Sequence, residues 1–262
     1  MISRAMTPLQ TATAAFAVAG CAAQHRGDRA EQQDRVAILR GRRAPRAVLG
    51  LLADGVGGRS GASLASEQVV ATAQRRFDEH GPEDPVERFF EDLVDELHVV
   101  LQLAAATAGL EPHSTLAAVL VQPDRVDWCH VGDSRVYHVR DGTVLARTID
   151  DTFAEQMLRE RRASPERVRL HPSARLLTQA LGGSRRPCPS LGSLPDPRPG
   201  DGFLLCSDGA WAPLADAEVG ETIGRHAPRD AVSRLLGLAR DRTHGQGDNC
   251  SLVLLKLEAP PR

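Results

Sequence analysis

Four aspartates in this chain stand where an apolar run meets a turn: Asp54 in LLADGVGGRSGASLAS, Asp133 in CHVGDSRVY, Asp208 in FLLCSDGAW and Asp248 in GQGDNCSLVLLKL. One aspartate at such a place ordinarily caps a helix or closes an Asx-turn. Four of them, two as Asp-Gly after apolar runs, suggest something else. Carboxylates gathered at strand tips repel one another unless a cation sits between them, and hard oxygen ligands of this kind suit Mg²⁺ or Mn²⁺.

Rival chemistries fail on their own spacing. The glycines around Asp54 invite a phosphate-loop reading, but Gly61 is followed by Ala62 and Ser63 rather than Lys-Ser/Thr, and the dinucleotide pattern GxGxxG does not close either. The nine histidines include no HxxxH or HExxH pair, so His130 and His138 are expected inside the fold rather than on zinc. His25, four residues before Arg29, is expected to serve the fold rather than the site. Cys206 leads into Asp208 on a predicted strand, where burial explains it better than nucleophilic catalysis. Ser134 and Ser207 lack Ser-His-Asp company and read as turn residues.

Composition narrows the class further. A net charge of −2 with interspersed acids and bases argues against an electrostatic nucleic-acid binder, and 3% aromatics leaves little for base stacking. Hydrophobic residues at 42% suffice for a sizeable core, and without a clean linker the 262 residues read as one domain. Five scattered cysteines, odd in number and without a CxxC pair, indicate a reducing compartment, hence the cytoplasm. No run reaches transmembrane length. VAGC at Val18 to Cys21 looks like a lipoprotein cleavage box, but the segment before it carries Thr, Gln and Pro and is weakly apolar, so a first β-strand is the expectation.

The elements that must position the aspartates follow from patterning. Strands are expected at 15–22, 36–39, 47–53, 116–121, 126–131, 135–139, 143–146, 202–206 and 251–257, several in succession without a helix. In RVYHVRDGTVLAR the dipeptide Asp141-Gly142 suits a type I′ hairpin turn. Helices are expected after the glycine loop, with Ala62, Ala65, Val69, Ala73 and Phe77 inward, and from Asp84, read as an N-cap with Pro85 at N1 and Glu87 completing a capping box. Phe89, Leu93, Leu97, Val100, Leu101 and Ala104 then share one face. Further helices are predicted over 153–161 and 230–240, while Pro and Gly mark 182–202 as an irregular connection. The sum is an α+β layered domain.

LLADGVGGRSGASLAS, HVGDSRVYHVRDG, LLTQALGG, FLLCSDGAW and GDNCSLVLLKL occur in the order and approximate spacing of the metal-dependent protein phosphatases, the PPM or type-2C serine/threonine family, and most resemble its compact bacterial members. The resemblance runs over about 15–257. It implies a four-layer α-β-β-α sandwich of two mainly antiparallel sheets flanked by helix pairs, with a binuclear centre at one end. By resemblance Asp54 bridges two Mn²⁺ or Mg²⁺ ions, the Gly55 carbonyl ligates one of them, Asp208 and Asp248 complete the second site, and Asp133 matches a ligand of a third, weaker ion. Arg29 and the pair Gln33-Asp34 match an upstream Arg-x₃-Glu/Gln-Asp pattern, with Arg29 on the substrate phosphate and Asp34 orienting a water.

The resemblance therefore implies hydrolysis of phosphoserine and phosphothreonine on proteins by a monomeric cytoplasmic enzyme, with phosphoprotein substrates and a cognate serine/threonine kinase as candidate partners, and neither nucleic acid nor membrane. The rival is a pseudophosphatase that binds phosphoproteins without turnover; the presence of Asp54, Asp208 and Asp248 favours the enzyme. Gln33 stands where many members carry Glu, and Val56 where certain members carry a histidine proposed as general acid, so the leaving alkoxide needs another proton source. The segment 150–177 occupies the place of the family's flap; its arginine-rich RERRASPERVRLHPSARL suits a solvated helical hairpin as well as a phosphoprotein-docking surface, and Ser164-Pro165-Glu166 should open a helix.

Overall fold

Alternate residues of the last strand point into two different cores. In Cys250–Glu258 (β11), Val253, Leu255 and Leu257 pack between two sheets, while Leu252 and Leu254 pack under helices. A run such as SLVLLKL, apolar without alternation, is the mark of a strand buried on both faces. Leu116–Val121 (β5) behaves alike: Leu116, Ala118 and Leu120 face a helix pair, and Ala117, Val119 and Val121 face the opposing sheet.

The computed structural model describes residues 11–12, 16–56 and 60–260, so the glycine-rich Gly57-Gly58-Arg59 lies outside the described residues. The remaining strands are Thr11–Ala12 (β1), Ala17–His25 (β2), Asp34–Arg40 (β3), Val48–Asp54 (β4), Arg125–Val131 (β6), Arg135–Arg140 (β7), Thr143–Arg147 (β8), Ser190–Pro195 (β9) and Asp201–Cys206 (β10). They form two antiparallel sheets, ordered β1-β2-β11-β10-β7-β8 and β3-β4-β5-β6-β9. Ala62–Glu79 (α1) and Val86–Ala108 (α2) cover the second sheet, burying Val69, Phe77, Leu93 and Leu97 against Leu49 and Leu51. Asp216–Arg225 (α6) and Pro228–Thr243 (α7) cover the first, burying Ile223, Leu235 and Leu236. The result is the expected α+β sandwich in four layers. Each fully buried Leu, Val or Phe contributes about 1.5–3 kcal/mol, so truncating Leu254 to Ala, between sheet and helices, would cost roughly 2–5 kcal/mol.

Local signals held in most places. Asp141 and Gly142 both take positive φ, 51° and 77°, as a type I′ turn between β7 and β8 requires. The VAGC segment lies inside β2, with Cys21 buried opposite Leu254. Ser164 precedes the short helix Pro165–Arg169 (α4), and Phe153–Arg159 (α3) starts from Thr152, whose side chain caps Glu155.

Three expectations need correction. Asp84 does not cap α2: the N-cap is Pro85, and the Asp84 carboxylate instead accepts the Gly81 N–H at 2.6 Å. On that helix Phe90, Val94 and His98 are buried beside Phe89, Leu93, Leu97 and Leu101, whereas Val100 and Ala104 are half-buried. The stretch 182–202 is not wholly irregular, since β9 adds itself to β6 as an edge strand. An edge tolerates Gly192 and Pro195, which mask its pattern.

Candidate metal centre

Pairing of β3 with β4 sets Asp34 directly across from Asp54. Like charges facing each other in that way destabilise a sheet, so the fold gains nothing from this pair. The Asp34 side chain is closed off from solvent; its Oδ2 accepts the Ser251 hydroxyl at 2.6 Å, its carbonyl accepts Gln24 Nε2 at 2.7 Å, and its Oδ1 has no hydrogen-bond partner. Burial pushes the Asp34 pKa up against the pull of the Ser251 and Ser207 hydroxyls. Asp54 is pushed up more strongly, by burial first and then by the charges of Asp34, Asp208, Asp133 and Asp248.

The other carboxylates arrive from the first sheet. Asp208 opens the single turn Asp208–Trp211 (α5) after β10, and burial and then Asp248 raise its pKa while the Gly209 N–H, Arg175 and Arg29 lower it. Asp133 sits in the turn between β6 and β7, where its carbonyl accepts Trp211 Nε1 at 2.8 Å; burial, Asp208 and Asp150 push its carboxyl up to about 7. Asp248 lies just before β11 and pairs with Arg29 at 2.5 Å, both groups partly exposed. Five carboxylates from two sheets thus act on one another at one end of the sandwich.

Gly55 follows directly on β4. Its N–H donates to the Gln33 carbonyl at 3.2 Å, and a Cβ here would lie 2.3 Å from the Ala62 carbonyl oxygen, so no side chain fits. Gly27 has φ +64°, and a Cβ there would come within 2.1 Å of the Asp248 carbonyl oxygen. The loop carrying Arg29 is therefore pressed onto the loop carrying Asp248.

Several residues that hold this arrangement carry no signal as single letters. Asn249 Oδ1 accepts the Gln33 N–H at 2.7 Å, and its Nδ2 donates to the carbonyls of Arg26 and Glu31 at 2.7 and 2.9 Å. Ser251 fixes Asp34, and Ser207 is more than a turn residue because its hydroxyl accepts the Ser251 N–H at 3.0 Å. Arg135 forks onto Asp150 at 2.7 and 2.8 Å and lies 3.3 Å over the Trp211 ring. Asp151 accepts the Gly132 N–H and Gln179 Nε2, both at 3.0 Å, tying the base of segment 150–177 to the Asp133 turn.

The histidines and thiols do what the sequence suggested. His130 Nε2 hydrogen-bonds the Ile149 carbonyl, and His138 Nε2 meets Asp201 Oδ1 at 2.8 Å. His25 Nδ1 accepts the Gly27 N–H at 2.8 Å. Cys206 is buried, and that burial raises its thiol pKa well above the ordinary value.

Does this donor set fit a divalent cation? Among the described residues no three His, Cys, Asp or Glu side chains are drawn into a ready-made coordination shell, and Asp248 is engaged by Arg29. The carboxylates stand within electrostatic reach, as like charges do when nothing neutralises them. Their oxygens are hard donors, Asp34 Oδ1 is buried without a partner, and burial and neighbouring carboxylates raise the pKa of Asp54, Asp133 and Asp208. A cation would remove each of these costs, so the residues fit Mn²⁺ or Mg²⁺.

Comparison with known proteins gives the class first. Residues 21–235 match the profile described as Protein phosphatase 2C, and the chain belongs to that family. Asp248 falls outside the matched span. Among individual relatives, the serine/threonine protein phosphatase PstP of Mycobacterium tuberculosis is 34% identical over 212 residues, covering 78% of this chain and 39% of PstP, so the chain spans well under half of that relative. Protein phosphatase PhpP of Streptococcus pneumoniae is 26% identical over 214 residues, covering 79% of this chain and 85% of PhpP. The crystal structure of M. tuberculosis PstP/Ppp superposes with a TM-score of 0.80 at 31% identity, over 92% of this chain and 99% of that one. The PstP catalytic domain in complex with 2 manganese ions gives 0.76 at 30% identity, over 92% and 98%.

Proposed function

We propose that the chain hydrolyses phosphoserine and phosphothreonine on proteins, using two Mn²⁺ or Mg²⁺ ions held by Asp54, the Gly55 carbonyl, Asp208 and Asp248, with Asp133 at a third and weaker site. The observation that carries this reading is the electrostatic convergence of Asp34, Asp133, Asp208 and Asp248 on the half-buried Asp54, with Arg29 at its edge. When bound, such ions would neutralise the phosphoryl charge and supply a nucleophilic water near neutral pH.

The chain's own groups then have separable tasks. Arg29 offers a guanidinium fork for two phosphoryl oxygens. Among the described residues only its Nη2 is engaged, by Asp248, so other guanidinium N–H groups remain for phosphate. Asp34, pinned through Oδ2 by Ser251, has a buried Oδ1 without a partner, which would accept a hydrogen bond from a water admitted with the metal ions and so orient it. Val56 has no proton to give, so the leaving alkoxide must take its proton from water or from another group.

This reading treats 1–262 as one domain with 150–177 as a flap beside the site. It acts as a monomer in the cytoplasm, where cysteines stay reduced; all five are unpaired thiols. Its partners are phosphoproteins, with the activation segment of a serine/threonine kinase as a candidate substrate. Nothing in the site favours the pseudophosphatase, since no carboxylate is missing. The test is phosphate release from a phosphothreonine peptide with Mn²⁺ or with chelator. Metal-stimulated turnover that Asp208→Asn abolishes is expected; turnover untouched by chelator and by the substitution would refute the reading.

A further inference from the structure

Beside the carboxylate cluster runs a groove of about 800 Å³, bounded by Val56 and His113 on one side, Arg175 to Ala180 at the base of segment 150–177, and Gly183 to Pro187 on the other. Val56 is one residue from Gly55. The groove therefore begins where the candidate site ends. Its walls contain no aspartate or glutamate, yet they carry three arginines and a histidine.

What sets the groove apart is a lining of arginines with no carboxylate among them. Arg186 forks onto Asp95. Arg175 and Arg185, both exposed, have no ion-pair partner among the described residues. His113 Nδ1 donates to the Glu111 carbonyl at 3.0 Å, so the neutral ring has only an acceptor left at Nε2 and the arginines supply the groove's donors to an anion. Cations on the wall of a cleft whose lining holds no carboxylate focus an attractive field for anions.

We infer that this groove is a specificity subsite for the substrate protein, holding anionic side chains that flank the phosphorylated residue, with Arg175 and Arg185 as the recognising groups. The inference rests on the phosphatase reading of the adjoining site. An extended peptide advances about 3.3 Å per residue, so side chains a few positions from the phosphorylated residue fall along the groove. Carboxylates and a second phosphoryl group share the chemistry that would be recognised. A second phosphoryl group, with more charge and a geometry suited to a guanidinium fork, should bind better.

The experiment uses the full chain and three fluorescein-labelled phosphothreonine peptides: neutral flanks, two flanking glutamates, and a second phosphothreonine. Anisotropy in chelator gives each affinity without turnover; p-nitrophenyl phosphate hydrolysis in Mn²⁺ reports the catalytic centre separately. Two partly exposed charge pairs together give about fivefold, so the glutamate peptide should bind about fivefold tighter than the neutral one, and the doubly phosphorylated peptide at least as tightly. Arg185→Glu and Arg175→Gln, checked for an unchanged melting curve, should each shrink that ratio, and together bring it to one or below. Equal affinity of wild type for all three peptides, or a ratio that survives both substitutions, overturns the inference. Selective binding without any p-nitrophenyl phosphate turnover would leave the groove standing and overturn the catalytic reading; turnover without selectivity would do the reverse.

Discussion

Asp133 offers the sharpest quantitative test of the claim that these carboxylates are assembled against the interests of the apo fold. Its carboxyl is pushed from 3.8 up to about 7, by burial first and then by Asp208 and Asp150. A group whose folded pKa is raised binds its proton more tightly in the native state, so native stability falls as pH climbs through the window between those two values. At 1.36 kcal/mol per unit, full ionisation at pH 8 costs about 4 kcal/mol, and screening at the solvent-facing edge of this half-buried residue brings the expected cost to about 3 kcal/mol. Asp133→Asn keeps size and a hydrogen-bonding oxygen but removes the charge. In chelator at pH 8 the variant should therefore melt about 7 °C above wild type, using the slope of about 2–3 °C per kcal/mol for a chain of this size. At pH 5.5 roughly half of that gain should remain, because the unfolded carboxyl is still ionised there. Thermal unfolding at the two pH values measures both numbers. A variant no more stable than wild type at pH 8, or a gain that does not shrink at pH 5.5, would refute the electrostatic reasoning.

Three other perturbations separate roles within the molecule. Arg29→Ala should raise KM for a phosphopeptide roughly 10–100-fold, the worth of a charge-assisted fork, with a smaller effect on kcat; loss of kcat at unchanged KM would remove Arg29 from phosphate binding. Asp201 is buried between Arg140, at 2.6 and 2.8 Å, and His138, which holds its pKa well below the usual carboxylate range. That stability is present above the unfolded pKa and lost as pH falls through the folded one, so at pH 7 Asp201→Asn should cost roughly 3–5 kcal/mol in urea unfolding without changing metal dependence. Asn249→Ala removes three hydrogen bonds between the Arg29 and Asp248 loops; it should cost about 3 kcal/mol and weaken Mn²⁺ binding about tenfold, as loss of a residue that orients a ligand does.

Much of this was legible in the sequence, for physical reasons that differ by element. Continuous apolar runs such as those of β5 and β11 can satisfy two cores at once, so they announce central strands. Asp-Gly at 141–142 forces its own turn geometry. The aspartates were visible because a carboxylate at the end of a greasy strand has little to do for the fold. What the sequence hid is tertiary. The register that sets Asp34 against Asp54 depends on how β3 and β4 align across the 41–47 connection. Asn249 and Ser251 look like ordinary strand-entry residues until the loops they bind are brought from more than 200 positions away. The N-cap at Asp84 failed because that carboxylate found the Gly81 N–H instead. The edge strand β9 was concealed by a glycine and a terminal proline.

The central claim is that the carboxylates around Asp54 form a divalent-metal site, and calorimetric titration of Mn²⁺ into the full chain tests it without reference to turnover. Wild type should bind two ions, as the PstP catalytic domain holds in its manganese complex, with a third and weaker event that Asp133→Ala removes. Asp54→Asn, which takes away the charge on which the other four carboxylates bear, should abolish tight binding while the protein still unfolds cooperatively. Heat-silent wild type, or an Asp54→Asn variant with unchanged stoichiometry and affinity, would contradict the account.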